Sequence, residues 1–191
     1  MRRVVSSGAL ALVLCALAGC GAGTSGSAAA PAGSAVVEMA PTPYTAAQIR
    51  AATRVGRSYE FRVEAEGKPA VRRIMTFTAV SDARAETDNR ITDDDGKPLE
   101  GGGHREASWE ELRKHAEFPR AQVTLHDETV VVPAGAFACT LYTVTEGSGA
   151  EQTVERFAFS KDMAGPPVQF STDKGGRRVM TSKLVVYRAG P

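Results

Sequence analysis

Tyr59-Glu60-Phe61-Arg62-Val63-Glu64-Ala65 is the stretch that decides the fold class. Apolar and charged residues alternate strictly, so Tyr59, Phe61, Val63 and Ala65 share one face while Glu60, Arg62 and Glu64 share the other. That period of two belongs to a strand with one buried and one wet face. Outward from it, Glu66-Gly67-Lys68-Pro69 reads as a turn. A second strand follows near Val71 to Val80, with Met75 and Phe77 on one face, and a third, more polar strand runs from Ala83 to Thr92. Asp94-Asp95-Gly96 closes that pair. Upstream, Tyr44, Ala47, Ile49, Ala51 and Ala52 predict a short helix ending before Gly56.

Further along, Ser108-Trp109-Glu110-Glu111 has the form of a capping box, in which the serine accepts from the Glu111 amide and the glutamate reaches back to the serine amide. Trp109, Leu112 and Ala116 then share one helical face, and Pro119 stops the helix after Phe118. Strands are expected at Val123 to Val132, Phe137 to Thr145, Thr153 to Ser160, Val168 to Thr172 and Arg177 to Tyr187, with Pro- and Gly-rich breaks between them. The chain has no internal repeat. The reading is mainly β within an α+β class: a curved antiparallel sheet of about eight strands, a half-barrel or barrel, with one packed helix and a short N-terminal helix.

The first twenty residues carry a different message. Arg2 and Arg3 precede the apolar run Val4 to Leu14, which is too short to span a bilayer and has the form of an export signal. Leu17-Ala18-Gly19-Cys20 resembles the lipobox of bacterial lipoproteins. The resemblance implies cleavage before Cys20, a diacylglycerol thioether on its sulfur and an acylated amino group. It also implies a membrane partner and an envelope location. Gly21 follows the cysteine, as it commonly does in the family's outer-membrane members, so the periplasmic side of the outer membrane is expected. The two or three acyl chains would hold the protein durably, since each buried methylene contributes about 0.8 kcal/mol. The domain reading is therefore a signal peptide at 1–19, a tether rich in Gly, Ala, Ser and Pro at 20–43 and a single β-rich domain at 44–191. Such a tether spans roughly 25 to 30 Å as a coil.

The whole chain has 23 basic and 22 acidic residues; without residues 1–19, which hold two arginines and no acid, the balance is 21 to 22. A near-neutral chain lacks bulk attraction for nucleic acid. No disulfide is available once Cys15 leaves and Cys20 is acylated. Cys139 remains, in Phe137-Ala138-Cys139-Thr140-Leu141, where alternation sets it beside Phe137 and Leu141 on a core face, as an inert structural thiol. Dimerisation through it or thiol chemistry are the alternatives.

Several constellations resolve into ordinary turns. Asp93-Asp94-Asp95-Gly96, aligned to a calcium loop, places Ile91 first and Gly102 twelfth, where carboxylates are required, so it reads as a solvated hairpin turn. Gly101-Gly102-Gly103 and Gly147-Ser148-Gly149 lack the spacing of a phosphate loop or nucleophile elbow and read as loops. His104, His115 and His126 fall on separate elements. A small acid–base cluster of Glu111, His115 and His126 is the alternative to three surface histidines. Arg72-Arg73 and Lys174 to Arg178 read as solvated turns with spare charge, or as contacts to anionic headgroups. No cofactor and no metal is expected.

The strand count, single helix and lipid anchor resemble the curved half-barrels of periplasmic lipoprotein carriers, and Val130-Val131-Val132-Pro133-Ala134-Gly135-Ala136-Phe137-Ala138-Cys139 resembles a strand-turn-strand element of uncharacterised bacterial lipoproteins. The chain departs from the carriers in being only 6% aromatic, which argues against a large lipid pocket. The expected function is a non-enzymatic binding or interaction module engaging an envelope protein. The alternative is a carrier-like binder of an apolar ligand or lipid, with Phe61, Phe77, Trp109, Phe137, Phe157 and Phe170 lining the site. A hydrolase or thiol enzyme ranks third.

Overall fold

The computed structural model describes residues 37–191; the signal peptide, Cys20 and the tether as far as residue 36 lie outside the described residues. Chain order is α1 (Ala46–Ala52), β1 (Ser58–Ala65), β2 (Val71–Val80), β3 (Arg84–Thr92), β4 (Pro98–Ser108), α2 (Trp109–Lys114), β5 (Val123–Val132), β6 (Gly135–Glu146), β7 (Thr153–Ser160), β8 (Gln169–Lys174) and β9 (Arg177–Arg188). The nine strands form one curved, unclosed antiparallel sheet in the order β4-β3-β2-β1-β9-β8-β7-β6-β5. Two meanders, β1 to β4 and β5 to β9, thus meet through the β1–β9 pair at the middle of the sheet. The fold class expected from alternation is the one observed, in its open form.

This topology helps to explain the curvature. Residues 109–122 connect one edge strand, β4, to the other, β5. Nine strands laid flat put those edges about 38 Å apart. The connection contains the six residues of α2 and a three-residue 3-10 turn, Arg120–Gln122, and reaches at most about 36 Å. Only a sheet that curves towards the connection lets it cross, and the crossing carries α2 over one face.

Both helices begin where their caps dictate. Thr45 Oγ1 accepts from Gln48 N at 3.2 Å while Gln48 Oε1 accepts from Thr45 N at 2.8 Å. The Ser108 box forms as its sequence predicts, with Ser108 Oγ accepting from Glu111 N at 3.2 Å and Glu111 Oε2 accepting from Ser108 N at 2.7 Å. The glutamate carboxyl is held below its usual range chiefly by that backbone hydrogen bond. α2 is shorter than predicted, ending at Lys114 rather than Phe118. Its last turn tightens through Ala116 N to Arg113 O and Glu117 N to Lys114 O, bringing the chain round to Pro119.

Two further differences have physical causes. The ninth strand is β4, whose Gly101-Gly102-Gly103 was expected to be a loop. β3 supplies the ladder that local propensity does not, and the register shifts by a bulge between Asn89 and Ile91. Gly102 is required there, because a Cβ would stand 2.5 Å from the Asn89 carbonyl oxygen. At the other end, residues 38–43, assigned to the tether by composition, bind the domain. Ala40 N donates to Phe118 O at 2.9 Å, Arg120 N donates to Glu38 O at 2.8 Å, and Tyr142 Oη donates to Pro41 O at 2.8 Å. The folded unit therefore begins before Tyr44.

Candidate functional site

Alternate residues of three adjacent strands make the floor of a cleft. Arg73, Met75 and Phe77 come from β2, Ala85, Thr87 and Asn89 from β3, and Arg105 and Ala107 from β4. Ile49 of α1 and Leu112 of α2 face this floor, with His115 and Ala116 just beyond α2. At the far end stand Pro43, Tyr44, Phe157, Phe159 and the Gly165-Pro166-Pro167 loop. The cleft has a volume of about 690 Å³, within the usual range of small-molecule sites. A chain poor in aromatic residues has thus kept a large apolar cleft, against the expectation from composition.

The six aromatic candidates divide. Phe77 and Phe157 line the cleft. Phe170 stands behind Phe157, ring centroids 4.7 Å apart, and Phe61 is buried against Tyr59 at 6.2 Å. Trp109 is buried at the start of α2, where its Nε1 donates to Ser81 O at 3.1 Å and pins the helix to the β2–β3 turn. Phe137 lies on the opposite face of the sheet from Phe157, since the partner of Phe157 on β6 is Tyr142, five residues along. Phe61 and Trp109 are therefore core, Phe137 packs against the core from the opposite face, and Phe170 is half-buried beside Phe157 without lining the cleft.

Sequence reasoning did not select Tyr44, Met75, Asn89, Arg105 or Phe159 as site residues, whereas Arg73 was offered, with Arg72, as a contact to anionic headgroups or a spare turn charge. Phe159 was legible, because it sits two residues from Phe157 on one face. Tyr44 is buried, hydrogen-bonded to the carbonyls of Ser160 and Met163, and its phenol is pushed well above the ordinary value by burial. Asn89 is 7% exposed; its Nδ2 donates to Thr87 Oγ1 at 3.3 Å, and its Oδ1 is buried without a partner.

The other candidates are placed elsewhere. His104, on β4, lies 3.0 Å from Asp88 and 3.5 Å from Glu86, and His126, on β5, lies 3.2 Å from Glu128, both at the surface. His115 is at the cleft, but Glu111 is engaged in its cap and His126 belongs to a different edge, so the acid–base cluster is not assembled. Asp93 Oδ1 accepts from Asp95 N at 3.1 Å and Lys97 N at 2.8 Å, the hairpin-turn role expected for that acidic run. Cys139 is fully buried, on the face opposite the cleft, and burial pushes its thiol above the ordinary value. Among the described residues no cluster of three potential metal ligands occurs. None of their helices is long and apolar enough to cross a membrane.

No family model and no curated protein matches the chain. Two solved structures share its outline. One is a protein from Bacteroides fragilis inferred to be exported, with a YmcC-like fold, 12% identical, with TM-score 0.47 over 71% of this chain and 97% of its own. The other is a protein from Parabacteroides distasonis inferred to be a lipoprotein, 10% identical, with TM-score 0.48 over 71% and 96%.

Proposed function

We propose that this chain is a lipid-anchored envelope lipoprotein that works by binding rather than catalysis, and that its ligand is an apolar or amphiphilic small molecule held in the cleft. The cleft itself carries the reading: about 690 Å³ between a sheet face and two capped helices, walled by Met75, Phe77, Leu112, Phe157 and Phe159. Cavities of this size and lining are the ordinary form of a small-molecule site. The lipobox-like Leu17-Ala18-Gly19-Cys20 supports the anchor, and Gly21 supports an outer-membrane destination. An anchored domain of this kind reaches ligands in the adjacent leaflet or passes them to a soluble partner.

Native mass spectrometry of the chain from residue 20, purified gently from its own host, tests the ligand. Residues 37–191 contain the whole nine-stranded sheet and its core, so this chain keeps the folded unit intact. Retained mass that extracts into organic solvent supports the cleft reading; a clean apo mass, together with no uptake of added amphiphiles, defeats it. Metabolic labelling with palmitate tests the anchor, which Cys20→Ala should abolish.

A further inference from the structure

The cleft has two chemically different ends. On the side of β7 it is aromatic, with Phe157 and Phe159 near Tyr44, whose ring centroid is 6.2 Å from that of Phe159. On the side of β2 to β4 it is cationic. Arg73 and Arg105 both line it and both are exposed. The neighbouring guanidiniums are occupied: Arg113 by Glu110 at 2.7 Å and Glu117 at 2.6 Å, Arg84 by Glu106 at 2.8 Å, and Arg72 by Glu60 at 2.5 Å. Among the described residues no carboxylate pairs with Arg73 or Arg105. Glu106, between Arg105 and Ala107 on β4, points to the opposite face of the sheet, where it is bound to Arg84.

The register places these two cations around one buried polar group. Met75 is opposite Asn89 on β2 and Gly103 is opposite it on β4, so Arg73 and Arg105 are its diagonal neighbours on either side. Diagonal neighbours lie about 7 to 8 Å apart, within reach of an arginine side chain. Asn89 is nine-tenths buried, faces the cleft and has an unpaired acceptor. A buried acceptor left unpaired is destabilising unless something donates to it.

We propose that the ligand is a single-chain amphiphile with an anionic head, a carboxylate or phosphate, which sits between Arg73 and Arg105 above Asn89 while the tail runs under α1 and α2 towards Phe157 and Phe159. Guanidinium groups bind such heads by charge-assisted hydrogen bonds. Asn89 accepts from a head-group hydroxyl or a water held by the head. This assignment rests on the cleft being a binding site and names the class of molecule it takes.

Calorimetric titration separates the two ideas. The chain from residue 20 is titrated with palmitate, palmitoyl lysophosphatidate and the neutral monopalmitoylglycerol, and the titrations are repeated with Arg73→Gln/Arg105→Gln. Both positions are exposed, so the variant folds, and its unfolding midpoint confirms it. The anionic ligands should bind the native chain at least tenfold more tightly than the neutral one, and the double variant should erase that preference while keeping monopalmitoylglycerol affinity. Equal binding of all three, unchanged in the variant, overturns the head-group assignment and leaves the cleft reading standing. Binding of none overturns both. A preference for palmitate or for lysophosphatidate identifies which head is used.

Discussion

The two halves of the sheet bury their residues differently. In β2 to β4 one face is the cleft floor, and the opposite face is wet and charged, with Glu86, Asp88, Arg90, His104 and Glu106 arrayed along it. In β5 to β9 both faces are filled. Tyr142, Phe157 and Phe159 pack on the cleft side, and Val130, Val132, Cys139, Ala158 and Ser171 are buried on the other. There the β5–β6 tip lies against β9, with Ala134 N donating to Leu184 O at 3.2 Å. The second half therefore holds the fold, and the first half is buried on one side only and is hollow there. Tight packing and an open cleft thus coexist in one sheet.

Alkaline titration should produce the largest effect, because it acts on the buried hydroxyls and thiol that the packing of the sheet encloses. Burial raises the phenols of Tyr44 and Tyr59 and the thiol of Cys139 above their ordinary values of 10.0, 10.0 and 9.0. A raised folded-state pKa means that the unfolded chain loses each proton first. The stabilisation is complete below about pH 9 and falls as pH rises through the interval between the unfolded and folded values. Each group contributes a slope of about 1.4 kcal/mol per pH unit in that interval. Urea midpoints measured from pH 8 to 12 should drop steeply above pH 10, by several kcal/mol in total. A flat profile to pH 11 would mean that these residues are wetter than the fold requires.

Truncation compares the halves directly. Leu184 is fully buried at the centre of the sheet, whereas Met75 is half-buried on the cleft floor. Leu184→Ala should cost about 2–5 kcal/mol, and Met75→Ala about 1 kcal/mol, because its site is already open to a void. Denaturant midpoints at constant slope give both numbers. Equal losses would erase the distinction between a filled half and a hollow half.

Fold and site were unequally legible in the sequence. Alternation in Tyr59–Ala65 and the capping box at Ser108 revealed the strand class and the second helix, because each is written in neighbours. β4 was hidden because its pairing with β3 is what makes a glycine-rich polar stretch extended, and its exposed edge demands no apolar pattern. Residues 38–43 were hidden for the same reason: Ala40 looks like any tether alanine until Phe118 accepts its amide. Among the site residues, Phe77 and Phe157 were visible as large apolar side chains on an inward face. Arg73 read as a turn charge or a contact to anionic headgroups, with no cleft to place it in, and Asn89 as strand polarity, since an unpaired acceptor appears only when three strands are in register.

Caps connect the two halves, because α2 is the roof of the cleft and lies on the path from β4 to β5. Ser108→Ala removes the acceptor for Glu111 N and one of the two donors to the Glu111 carboxylate, and should cost about 1 kcal/mol. Its useful readout is local. Hydrogen exchange should quicken at Trp109 to Lys114 while β7 and β8 keep their protection. Quickening throughout would show that the roof and the filled half unfold together.

The smallest effect carries the sharpest distinction. If the polar floor exists to hold the fold, Asn89→Leu should destabilise, because it breaks the 3.3 Å contact from Asn89 Nδ2 to Thr87 Oγ1. If it exists for a ligand, the same change removes an unpaired buried acceptor and adds apolar area, so stability should be unchanged or rise by about 1 kcal/mol. The second outcome is expected, together with weaker binding of anionic amphiphiles. Thermal melts of the ligand-free protein decide it. A melting temperature that holds or rises while binding falls places Asn89 among residues kept at a cost to stability for what they bind; a lowered melting temperature returns it to the core.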